Sequence, residues 1–142
     1  MTAQNAPAFD TKIVVVLRAD LPMWQQLNMT AFLASGVAAS SPDVIGENYT
    51  DADGIKYQPM FGQPVLVFQA DAEQLTRTLD RAIARDITPA IFTTELFATG
   101  HDSANRAAVA GVPRAELDLA GLALHGPRRD VDKITKGLKL HG

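Results

Sequence analysis

The chain has 142 residues and a formal net charge of −3, with 46% apolar and 20% charged residues. That is the composition of one soluble globular domain with a sizeable core, and it leaves no room for two. There is no cysteine, which excludes disulfides, thiolate metal sites and cysteine nucleophiles. The apolar run Ile13 to Leu17 is far too short to cross a bilayer. The first ten residues, MTAQNAPAFD, carry neither the basic nor the apolar part of a signal peptide. The expectation is a flexible leader over residues 1–10, a single domain over 11–142 and a cytoplasmic location.

Thr11 to Arg18 is β-branched, apolar and continuous, the pattern of a strand buried on both faces. Asp20 is placed to cap a following helix, with Pro22 tolerated in its first turn. Trp24, Leu27, Ala31, Ala34 and Val37 keep helical spacing to about Ser40, and Pro42 stops the run. Tyr49 and Ile55-Lys56-Tyr57 flank Asp51-Ala52-Asp53-Gly54, which predicts a hairpin turning at Asp53-Gly54. A calcium loop starting at Asp51 is excluded, because Gly62 stands where its last carboxylate belongs.

Pro64 to Phe68 reads as a second buried strand. Asp71 and Gln74 then resemble a capping box, with Leu75, Leu79, Ala82 and Ile83 marking one helical face to about Asp86. Ile87 to Phe92 is a third strand, and Pro89 favours a sheet edge or the strand's first residues. A short helical turn over Thr94 to Thr99 closes at Gly100, and Asp102 is placed to cap a second short helix through Val109. Leu117 to Leu124 alternates as a fourth strand, after which Pro127 opens a helix that Gly137 closes. The order of elements predicts a three-layer α/β/α sandwich on a four-stranded mixed sheet.

Three stretches in this order resemble type II peptidyl-tRNA hydrolases: Lys12 to Met23, Ile87 to Phe92, and Asp130-Val-Asp-Lys-Ile-Thr-Lys-Gly-Leu-Lys-Leu140. A closer resemblance is to an uncharacterised bacterial group of the same fold, the domain-of-unknown-function family numbered two thousand. It rests on Phe92-Thr-x-x-x-Phe-Ala-Thr-Gly-His-Asp-x-x-Asn-Arg106, Leu124-x-Gly-Pro-Arg128, Val131-Asp-Lys133 and the Asp51-Ala-Asp-Gly54 turn. The resemblance implies a fold and no established reaction.

The hydrolases carry a functional lysine, a glutamine and a histidine along their first helix. Here no lysine and no histidine occur between Lys12 and Lys56. Where those enzymes place an arginine–aspartate pair after the third strand, this chain has Thr93-Thr94-Glu95, and only Glu95 stands near the aspartate's place. Residues 1–100 carry six cations against eleven anions, and residues 101–142 seven against five. That is a thin footprint for a polyanionic tRNA, so tRNA is disfavoured as a partner.

The densest polar chemistry is His101-Asp102-x-x-Asn105-Arg106, between two short helices after the third strand. His101 is a candidate acid or base, with Glu95 beside it, and Arg106 a candidate holder of a carboxylate or phosphate. The plainer alternative is that these side chains cap and brace the loop. Arg128 and Arg129 oppose the dipole of the last helix, so an anion there, or neutralisation by Asp130 and Asp132, would account for them. His125 reads as a surface histidine at a strand end or as a member of such an anion pocket. Trp24 and Phe32 read as packing residues, with Trp24 also placed to stack on a ligand at the pocket rim. Lys133, Lys136 and Lys139 read as a solvated helix face and tail.

No nucleophile elbow, phosphate loop, dinucleotide fingerprint or zinc-protease motif occurs. No metal or cofactor is therefore expected. The leading expectation is a pocket gathering Arg18, Asp20, Glu95, Thr99, His101, Asp102, Asn105, Arg106 and Arg128 around a small anionic metabolite. Two alternatives stay open: a hydrolase with His101 as base, and a non-catalytic module forming a homodimer.

Overall fold

The continuous run at the start of the domain forms β1 (Thr11–Arg18), whose middle residues Ile13 to Leu17 are all buried in the computed structural model. They are buried because β1 is the central strand, flanked on both sides and covered on both faces. The structure describes residues 9–142, so all but the last two residues of the expected leader lie outside it. β1 leads into α1 (Met23–Ser40), a short 3₁₀ turn (Pro42–Val44), and the hairpin of β2 (Tyr49–Thr50) and β3 (Lys56–Tyr57). Then follow β4 (Val65–Ala70), α2 (Ala72–Ala84), β5 (Ala90–Thr93), a 3₁₀ turn (Thr94–Ala98), α3 (Asp102–Ala110) and another 3₁₀ turn (Arg114–Glu116). β6 (Leu119–Pro127), α4 (Arg128–Ile134) and β7 (Lys139–Leu140) complete the chain.

The main sheet runs β5-β6-β1-β4-β7. β1 is parallel to β4 and antiparallel to β6, while β5 and β7 join the two edges antiparallel. The sheet is therefore α/β and mixed, with five strands rather than the expected four. The missed strand is β7, which pairs Leu140 with Phe68 and Lys139 with Gln69. Two residues carry no readable alternation, so it hid within the C-terminal tail. Gly137, at φ +91°, supplies the left-handed turn into it.

Alternate residues of β1 serve opposite cores. Val14 and Val16 pack with Leu75, Leu79, Leu122, Leu124, Val131 and Ile134 on the side of α2 and α4. Ile13, Val15 and Leu17 pack with Met29, Leu33, Val37 and Phe92 on the side of α1. Within α1 the buried residues are Gln26, Met29, Leu33 and Val37, so of the spacing read from the sequence only Val37 lies in the core. Trp24 and Leu27 are 60% and 65% exposed. No charged residue occurs anywhere in α1, so nothing in its sequence marks the solvent side.

Several local expectations hold. Asp71 and Gln74 form a reciprocal capping box on α2, β5 is an edge strand, and the hairpin turns through Gly54 at φ +83°. The Asp51 carboxylate organises that turn by accepting from the backbone N–H groups of Asp53 (2.9 Å) and Ile55 (3.0 Å) and from the Tyr57 hydroxyl (2.7 Å). Two caps are corrected. Asp20 does not cap α1, which starts after Pro22 without a side-chain cap; its carboxylate turns back to Arg18 instead. α3 is capped by His101 rather than Asp102. Among the described residues no helix is long and apolar enough to cross a membrane.

Candidate functional site

The strand directions divide the expected single pocket into three places. Arg18 ends β1. Its Nε donates to Asp20 Oδ1 (3.0 Å), and its Nη1 donates to Asp118 Oδ1 (2.7 Å) and to the Leu119 carbonyl (3.2 Å). Thr94 completes the cluster by donating its hydroxyl to Asp118 Oδ2 (2.7 Å). Burial opposes the guanidinium's charge, but the hydrogen bonds to Asp118 and Asp20 outweigh it and raise the Arg18 pKa. The Thr94 hydroxyl first, and Arg18 second, hold Asp118 below the usual carboxylate range. With two carboxylates and a carbonyl already on it, Arg18 works as a clamp between the end of β1 and the start of β6. It is not a free anion receptor.

Asp118 was not singled out from the sequence. It sits in Leu117-Asp118-Leu119, where alternation reads it as an outward strand residue. No local signal marks it, because its partner Arg18 lies 100 residues away and meets it only through the pairing of β1 with β6.

The second place is α3 and the cleft it borders. His101 Nδ1 accepts the Ala104 backbone N–H (3.2 Å) and lies 2.8 Å from Ser103 Oγ. Asp102 and Arg106, one turn apart, form an ion pair on the exposed side. Thr99 donates its hydroxyl to Asn105 Oδ1 and lies 3.0 Å from the Leu96 carbonyl, tying the loop to the helix. A cleft of about 530 Å³ runs between α1, β5 and α3. Its walls are Phe32 and Leu33 from α1, Ile91 and Phe92 from β5, and Leu96, with Asn105 and Arg106 of α3 beside Asp102 along one side. Phe92 continues an aromatic row, with its ring centroid 5.8 Å from that of Phe32 and 4.8 Å from that of Phe97. Trp24 meets Phe97 edge-on at 5.8 Å.

Phe32 and Trp24 are thus not core residues. They stand 55% and 60% exposed, and Phe32 forms part of the cleft wall. The cleft brings together Asp102, Asn105 and Arg106, with Thr99 bracing Asn105. Glu95 is exposed on the 3₁₀ turn, and neither it nor His101 lines the cleft.

Arg128 lies elsewhere. Its backbone N–H donates to the Asp10 carbonyl (2.8 Å) and its Nε to the Phe9 carbonyl (3.0 Å), so it fastens the segment before β1. Because Thr11 pairs with Pro127, Arg128 sits a full strand length from Arg18, on the order of 20 Å. His125 is half-buried rather than on the surface, with Nδ1 3.2 Å from Ser41 Oγ and its buried Nε2 without a partner among the described residues. Among the described residues no cluster of three His, Asp or Glu side chains could hold a metal ion.

A family model described as a protein of unknown function, DUF2000, matches residues 11–142. A solved structure of a protein of unknown function from Agrobacterium tumefaciens strain C58 is 47% identical with a TM-score of 0.93, covering 95% of this chain and 100% of that one. No curated protein matches.

Proposed function

Since the chain belongs to the DUF2000 family, whose description names no reaction, we propose its role from the cleft itself: it binds a small carboxylate or comparable anion that carries an apolar body. The observation behind this reading is the cleft's division of labour. Phe32, Leu33, Ile91, Phe92 and Leu96 offer apolar wall, while Asn105 and Arg106 supply donors along one side. A few placed polar groups on an apolar hollow are the usual build of a small-molecule site. Arg106 has five N–H donors, of which one end meets Asp102. Its planar fork suits a carboxylate held by two parallel hydrogen bonds. Thr99 takes up Asn105 Oδ1, which leaves the Asn105 amide N–H groups for a ligand.

The finer fold reading belongs with this proposal. Helices on both faces of the sheet are read as a three-layer sandwich similar to that of type II peptidyl-tRNA hydrolases. A hydrolase with His101 as base and Glu95 as partner draws no support from the geometry. His101 Nδ1 is committed to the α3 cap, and neither residue borders the cleft.

The test is thermal unfolding with a panel of aromatic and branched aliphatic carboxylates. A true ligand at about one hundred times its Kd should add roughly 2.7 kcal/mol of stability and raise the midpoint. Arg106→Ala should abolish that rise. A panel without effect on the native protein, or a rise that persists in Arg106→Ala, would sink the proposal.

A further inference from the structure

The opposite face of the molecule holds a second hollow, of about 400 Å³, between α2 and the turn that joins α4 to β7. Its lining includes Gln74, Arg77, Thr78 and Arg81, the i, i+3, i+4 and i+7 positions of one helical stripe, together with Lys136 and Leu138. Three cations and no carboxylate line it, in a chain whose net charge is −3.

Like charges four residues apart on a helix are unfavourable, so Arg77 and Arg81 on one stripe need an explanation. Arg81 has half of one. Its Nη1 donates to the Ile134 (3.4 Å) and Lys136 (3.0 Å) carbonyls at the end of α4, a favourable place for a cation. Its Nε and Nη2 carry no partner among the described residues. Arg77 and Lys136 have no ion pair there at all, even though Glu73 lies one turn before Arg77. The ion pairs present engage Lys12, Arg18, Arg85, Arg106 and Arg114 instead. A neighbouring hollow of about 360 Å³ shares Gln74 and Gly137 and adds Lys139, beside Asp20 and Asp71. The cationic end of this joined surface is thus set against an acidic end.

We propose that the hollow between α2 and the Lys136–Leu138 turn binds a phosphorylated small molecule, with its di- or polyphosphate group held by Arg77, Arg81 and Lys136. Three cations match the charge of such a group. The hollow is too small to track a nucleic-acid backbone, and the carboxylates of Asp20 and Asp71 next to it would repel a polyanion that continued past it. The site is independent of the cleft beside α3 and shares no residue with it.

The experiment is a titration of the full chain with inorganic pyrophosphate, followed by backbone amide shifts in two-dimensional NMR. Saturable shifts are expected over Gln74 to Arg81 and Lys136 to Leu138, and should weaken as salt is raised. Arg77→Gln with Lys136→Gln should weaken binding at least about tenfold, as the loss of charge-assisted hydrogen bonds predicts. Both side chains are exposed, so the variant is chosen to keep the fold, which its unchanged spectrum elsewhere would verify. Nucleoside diphosphate, added in a parallel arm, should bind at the same residues and reveal whether a base adds affinity. No saturable shift with pyrophosphate, shifts outside the hollow, or affinity unchanged in the double variant would overturn the proposal. So would binding of a single-stranded oligonucleotide without binding of pyrophosphate. Arg106→Ala should leave the pyrophosphate titration unchanged, which separates failure here from failure of the cleft.

Discussion

Arg18 keeps only 16% of its side chain exposed, and Asp118 is what makes that tolerable. A guanidinium so far removed from water needs its donors filled, and Asp118 accepts from it while also accepting from Thr94. Because Asp118 titrates below its unfolded value of about 3.9, its contribution is complete above that value. It disappears as pH falls through the folded value. Asp118→Asn should therefore cost about 1 kcal/mol near neutrality, a modest figure because the carboxylate is half exposed. The native and variant stabilities should converge in strong acid. Urea unfolding of both proteins across pH would measure this, and a gap as wide in strong acid as at neutrality would rule out the charge as its cause. At this scale the sequence was half legible. Arg18 and Asp20 are two residues apart and both fall in the expected pocket, although Asp20 reads first as a helix cap, whereas Asp118 comes from 100 residues away. No local pattern ties a strand-leading aspartate to a distant arginine.

Among the elements, α3 is the one that packs least. None of its residues is fully buried, and its main packing partner is the 3₁₀ turn before it. An element with so few buried apolar contacts opens locally at low cost, which suits a helix that forms one side of a binding cleft. Amide hydrogen exchange should be fast across Ala104 to Ala110 and slow across Ile13 to Leu17, whose residues are nearly inaccessible. A carboxylate bound in the cleft should slow the α3 amides selectively. Protection of α3 equal to that of β1 in the free protein would contradict the packing argument. The existence of α3 was readable from Gly100, Asp102 and Gly111, but its cap was not. Asp is the commoner N-cap, yet here the chain turns one residue earlier and His101 Nδ1 takes the Ala104 N–H. The buried face of α1 was equally hidden. Met29 and Leu33 go in while Leu27 and Phe32 stay out, and an uncharged helix offers no polar stripe to distinguish them.

For the molecule as a whole, charge counted along the chain and charge arranged in space turn out to differ. The first hundred residues are acidic and the remainder basic, yet Lys12–Asp132, Arg18–Asp118, Arg85–Asp130 and Arg114–Asp80 all join the two segments. Folding thus neutralises much of that asymmetry, and the cationic hollow draws Arg77 and Arg81 from the acidic segment and Lys136 from the basic one. Apart from Arg18–Asp118 these pairs lie towards the surface and are worth little each, so cohesion has to come from the two cores. Those cores cannot separate, because consecutive residues of β1 belong to opposite ones: Val14 faces α2 and α4, and Val15 faces α1. Melting either core would strip one side of the central strand and expose the other. Heat should therefore unfold the protein in one transition whose calorimetric and van't Hoff enthalpies agree. Val14→Ala and Val15→Ala, each costing about 2 kcal/mol for the lost methyl groups and the space they leave, should lower that same midpoint without splitting it. Two resolved transitions, with each variant moving only one of them, would show that the sheet does not couple its faces.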